Sequence, residues 1–184
     1  AAAMLAAPFL MSGVDAQQSA SSRYRVLVPD FQPAGDADKN FGKDLAEELR
    51  EAISQLNTHT AVDKDDIKDG LKRFKLKMED LNCIRSRQLA QQNNYEVVLC
   101  ADYEDSGTGI QITGIQFVDT GTGESFAVDP IMSARKEEAA AAVQIVAKFE
   151  LFVEQARRAT FCSQYAQSQQ WEKSLENCDI ALGL

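Results

Sequence analysis

At 184 residues, 45% of them hydrophobic, the chain has apolar content for one packed domain and part of a second, which excludes a disordered polymer. Its 28 acidic and 19 basic side chains give a net charge of −9, a field that repels phosphate backbones and anionic lipid headgroups. Nucleic acid is therefore not an expected partner.

Residues 1–13 carry no charge and are mostly Ala, Leu, Met and Phe; the small-residue tripeptide Val14-Asp15-Ala16 follows. This pattern predicts a secretory signal peptide over residues 1–16, since a membrane-spanning helix needs about 20 apolar residues. The charged region that precedes such a core is not in the sequence, and no Cys follows to serve as a lipoprotein attachment site. The expected location is periplasmic or otherwise extracytoplasmic, with membrane association indirect or through an uncleaved N-terminal segment.

A Gln/Ser-rich linker, residues 17–23, leads into residues 24–31 (YRVLVPDF), an apolar, β-rich run expected as a strand covered on both faces. Leu45, Leu49, Ala52, Ile53 and Leu56 then fall at helical spacing, with Asp38 or Asn40 placed to cap the start. Residues 58–62 read as a short strand. The acidic run after it, Asp63, Asp65 and Asp66, suits the first turn of a helix reaching about Phe74. A further helix is expected over 79–92, then a buried strand over 95–103 (YEVVLCADY).

Residues 109–118 and 124–128 flank Asp119-Thr120-Gly121-Thr122-Gly123, a turn sequence that predicts a hairpin. Ile110 and Ile112 alternate in one phase, Ile115 and Phe117 in the other, so a bulge at Gly114 is needed to give one buried face. Residues 136–158 form a long helical segment whose Val143, Val146, Phe149, Phe152 or Val153 and Ala156 are expected on one face. It runs without Gly or Pro into a second helical pattern over 161–184, divided by Gln167-Ser168-Gln169-Gln170.

Several groups of residues bear on chemistry. Asp36, Asp38, Asn40, Asp44 and Glu47 match positions one, three, five, nine and twelve of a calcium-binding EF-hand loop, yet the sixth position is Phe41 rather than Gly. A polar loop and helix cap is the favoured reading; a calcium or small-ligand site over 36–47 is the alternative. Gly35, Gly42 and Lys43 lack the spacing of a phosphate-binding loop, and Asp44 follows where Ser or Thr is required. His59 is the single histidine and has no nucleophile signature beside it, so no catalytic triad and no cofactor are expected. The basic run Lys72, Arg73, Lys75 and Lys77 interleaves with Leu71, Phe74 and Leu76 and reads as a solvated helix face. Cys83, Cys100, Cys162 and Cys178 contain no C-x-x-C pair, which disfavours zinc; two disulfides and four buried thiols remain equal readings.

The last 24 residues resemble most of a tetratricopeptide repeat, with Tyr165 at the aromatic of the first helix, Trp171 opening the second and Ala181-Leu182 near its end. Ser174 and Cys162 depart from the Ala and Gly or Ala usual at their positions. The resemblance implies a protein-interaction hairpin with Tyr165 and Trp171 as interaction residues, and further repeats after Leu184. It also implies that Cys162 and Cys178 face each other across the helix pair, where a disulfide would stabilise by about 3 kcal/mol in the chain-entropy model, leaving Cys83 and Cys100 as a second pair.

Residues 24–130, with RVLVPDF, YEVVLCADY and QFVDTGTGESFAV in this order around the helices, resemble the α/β domain of TolB N-terminal and CsgG-type envelope proteins. The expected fold is therefore α/β (α+β), a small mixed sheet of about five strands packed with helices and followed by the helical hairpin. The expected domains are 1–16, 17–23, 24–134 as the α/β domain, 135–160 as a connecting helix and 161–184 as a partial repeat. The expected role is non-catalytic binding or scaffolding of other envelope or membrane-complex proteins.

Overall fold

The computed structural model describes residues 23–183, so the signal-like segment 1–16 lies outside the described residues. Strand β1 (Tyr24–Leu27) starts a path of alternating contacts: Val26 and Val28 face one layer, Leu27 the other, and all three are fully buried. Two residues, β2 (Gln32–Pro33), continue this path along the same neighbour further on. Helix α1 (Lys39–Ser54) begins where the Asp38 carboxylate accepts the backbone N–H of Asn40 at 3.0 Å. Its Leu45, Leu49 and Ile53 point into the core. The helix approaches the chain after β1 so closely that a Cβ at Gly42 would sit 2.3 Å from the carbonyl oxygen of Phe31 and 2.5 Å from the Tyr103 ring. Only hydrogen fits there.

Strand β3 (His59–Ala61) and helix α2 (Lys64–Lys72) follow, the latter capped by Asp63. The single helix expected over 79–92 is instead a turn of 3-10 helix, Met78–Asp80, then α3 (Cys83–Asn93). The break arises because Asn82 caps α3, its Oδ1 accepting the Arg85 N–H at 3.0 Å, and Leu81 turns into the core. Asn94 then ends α3 in the left-handed region, φ 54°.

Strands β4 (Val97–Asp105), β5 (Ile110–Asp119), β6 (Ser125–Ala127) and β7 (Ile131–Ser133) complete a mixed sheet of seven strands. Five of these form the path β3-β1-β4-β5-β6, and the short β2 and β7, which hydropathy did not reveal, add to β4 and β5. β1 runs parallel to β3 and β4; β4 and β5 are antiparallel. Cys100 pairs with Gln116 but Asp102 with Thr113, so Gly114 and Ile115 together oppose Ala101. With Gly114 at φ +58°, this bulge lets Ile110, Ile112, Ile115 and Phe117 all be buried against one layer.

Helices α1 and α4 (Glu138–Gln167) cover that face, and α2 and α3 cover the other through Ile67, Leu71, Leu89 and Ala90. The buried face of α4 is Ala141, Ala142, Ile145, Val146 and Phe149, whereas Val143 is 65% exposed and Ala156 is exposed. The face is thus rotated from the one expected, because small alanines rather than Val143 make the close contacts. α4 runs 30 residues without a break and then reverses into α5 (Trp171–Gly183). Among the described residues no helix is long and apolar enough to cross a membrane.

Candidate functional site

The α4–α5 hairpin has an unusual division of faces. At 100° per residue, Ser174, Asn177 and Ala181 share the side of α5 that packs on α4, and these are the buried residues of the helix. The contact is largely polar. Ser174 Oγ donates to the Cys162 carbonyl at 2.9 Å, Arg158 Nη1 to Asn177 Oδ1 at 3.1 Å, and Gln155 Nε2 to the Ala181 carbonyl at 3.0 Å. The Cys162–Cys178 disulfide joins the helices with Cα atoms 5.0 Å apart.

Three large apolar side chains of α5 lie outside that contact, to one side of it, while Ile180 is half-buried. Trp171, Leu175 and Leu182 are 62%, 63% and 86% exposed and lie within an arc of about 40°. Immediately beside them on the face away from α4 come Asp179, Glu172 and Glu176, all exposed. The helix is inverted relative to an ordinary surface helix, which turns its apolar stripe inward. Tyr165 is half-buried, with the Lys173 ammonium 5.5 Å over its ring and Phe161 6.3 Å away.

A second feature is a cleft of about 750 Å³ at the start of β1, where α4 leaves the sheet. Tyr24, His59, Tyr95, Phe152, Val153 and Phe161 supply most of its apolar wall. His59 reaches it from β3, its ring 5.4 Å from Tyr24 and 4.8 Å edge-on from Phe149. Its Nδ1 is hydrogen-bonded to Thr58 Oγ1 at 2.9 Å. Burial pushes the imidazole below its ordinary pKa, with the Glu96 carboxylate opposing the shift, so the ring is neutral near pH 7. The polar rim is largely satisfied within itself: Thr120 Oγ1 donates to the Tyr95 carbonyl at 2.6 Å, and Asp119 Oδ1 accepts from the N–H groups of Gly121 and Thr122. The cleft offers apolar and aromatic surface with the neutral His59 imidazole, and Gln91, Asn94, Glu96 and Arg157 also line it.

The acidic loop is used differently from a metal site. Asp38 is occupied as the α1 cap, Asn40 already lies in the helix, and Glu47 pairs with Lys64 at 3.7 Å. Asp36 joins none of them: among the described residues no group of three or more His, Cys, Asp or Glu side chains could hold a metal ion. Cys83, the first residue of α3, is bonded to Cys100 on β4, with Cα atoms 5.3 Å apart. Cys100 falls on the α3-facing side of the sheet by strand alternation, which brings the two together. The cleft was not visible in the sequence, because its walls come from widely separated stretches. His59 flanked by Thr58 and Thr60 was the one local signal.

The sequence matches no protein-family model and no curated protein. Several solved structures superpose on part of the chain. The LpoB C-terminal domain from Escherichia coli superposes with a TM-score of 0.52 at 16% identity, covering 64% of this chain and 87% of that one. Lipoprotein GNA1162 from Neisseria meningitidis gives 0.49 at 13% identity, over 70% of this chain and 97% of that one. TolB from Acinetobacter baumannii gives 0.44 at 10% identity, over 66% of this chain and 26% of that one. The α/β fold is therefore that of the LpoB C-terminal domain.

Proposed function

We propose that the protein is a non-catalytic docking component of a bacterial cell-envelope complex, which engages partner proteins through the α4–α5 hairpin. The observation that carries this reading is the inverted α5, with Ser174 and Asn177 inside and Trp171 and Leu175 outside. Exposed apolar surface on a soluble helix costs free energy unless a partner covers it. Trp is also the residue type most enriched among binding hot spots. The likeness to the LpoB domain and two disulfides, which persist in oxidising compartments, support an extracytoplasmic place for it. In this reading Tyr165 and Trp171 belong to the interaction surface of the hairpin.

The test is crosslinking of the native protein, purified from its own membranes in mild detergent, with a photoreactive residue at position 171 or 175. Stoichiometric crosslinks to a defined envelope protein are the expected result. A monomer with no crosslink from either position would overturn the proposal. The cleft beside His59 favours one second reading, a module for a small apolar ligand; saturable quenching of Tyr24 and Tyr95 fluorescence by such a ligand would shift weight to it.

A further inference from the structure

We infer that the partner seated on α5 is an amphipathic helix whose apolar stripe is bordered by lysine or arginine on one side. The inference rests on the docking role proposed for the hairpin and specifies its chemistry. Around α5 the order of residues is the buried contact with α4, then Cys178, Trp171, Leu182 and Leu175, then Asp179, Glu172 and Glu176. The stripe thus has a wall on one side, made by α4, and an unbroken acidic ridge on the other. None of the three ridge carboxylates forms an ion pair among the described residues, whereas Glu154 and Asp105 are both paired with arginine.

A helix laid along the stripe places its own flank over that ridge, and complementary charge there sets register and rejects wrong partners. The same ridge disfavours the other occupants. A second copy packed antiparallel on the stripe would bring two acidic ridges side by side. An anionic lipid surface would meet three carboxylates at the edge of the contact, added to a chain of net charge −9. Trp171, Leu175 and Leu182 follow i, i+4 and i+11, with the disulfide-bonded Cys178 at i+7 on the α4 side, a spacing along which a partner helix can lie.

The test uses two designed helical peptides of about 20 residues, long enough to hold helix. Both carry Leu at i, i+4, i+7 and i+11; one has Lys along a single flank and its twin has Glu. Binding to the whole 184-residue chain is read by fluorescence anisotropy at two salt concentrations. The Lys-flanked peptide is expected to bind at least about tenfold more tightly than its twin, and Trp171→Ala with Leu175→Ala to weaken it about tenfold. Neutralising the ridge with Glu172→Gln, Glu176→Gln and Asp179→Asn is expected to weaken it and to flatten its salt dependence.

Equal binding of the two peptides, still lost in the Trp171→Ala, Leu175→Ala variant, would overturn the charge specificity and leave the docking surface standing. Undiminished binding to that variant would show diffuse attraction and overturn the docking surface as well. Concentration-dependent dimerisation abolished by the same variant would replace the partner helix with a second copy.

Discussion

Phe149 and Trp171 are both large aromatics on helices of the same hairpin-forming pair, yet the first is 0% exposed and the second 62%. Phe149 touches His59, Phe117 and Phe152 and closes the core between the sheet and α4. Trp171 has no such company; its helix is held by a disulfide and a few side-chain hydrogen bonds. The α/β body is thus stabilised by apolar burial and the hairpin tip by cross-links of another kind. The buried aromatic lies on α4 and the exposed one on α5.

The largest expected effect comes from breaking the body. Phe149→Ala should cost about 3–5 kcal/mol in urea or guanidinium unfolding, as a buried aromatic truncated to alanine does. Next is the tip: Cys162→Ser should remove up to about 3 kcal/mol from the hairpin. Hydrogen exchange should show α5 amides losing protection while those of β4 and β5 keep theirs; equal loss in both would erase the distinction between the regions.

A smaller effect concerns His59. Its folded pKa lies below the ordinary histidine value because of burial, so the unfolded chain takes up the proton first as pH falls. Stability should therefore be full above the ordinary histidine range and decline as pH drops through it toward the folded pKa. His59→Gln should flatten this slope in Tm measured against pH, and an unchanged slope would mean that the ring is not buried in solution. The smallest effect is expected on α5. Trp171→Ala and Leu175→Ala should change stability by no more than about 0.5 kcal/mol, as exposed sites do. A large loss would show these side chains serving the fold rather than a partner.

Much of the body was legible because its elements carry strong local signals. The phase change across Gly114 predicted the bulge, and Asp38 and Asp63 stand where helices α1 and α2 begin. Strands β2 and β7 were not legible, since two or three residues are too few to show a period. Val143 lies off the buried face of α4 because Ala141 and Ala142, which hydrophobicity alone ranks below it, are small enough to let the helix settle on the sheet. For α5, spacing identified the apolar residues but not which way they point; that is decided by Arg158, Gln155 and Cys162 on the neighbouring helix, which fix its polar side inward.

The unbroken course of α4 makes it a gauge of angle more than of reach. Its 30 residues span about 45 Å, and Val153, which packs on the core, is only two residues, about 3 Å, from Gln155, which bonds to α5. One alanine inserted after Val153 would lengthen the molecule by only about 1.5 Å but swing the hairpin about 100° around the axis. Whatever meets Trp171 would then find the same surface at nearly the same distance, facing elsewhere. A partner that also grips the sheet would be lost by that rotation, and one that grips the hairpin alone would not notice it.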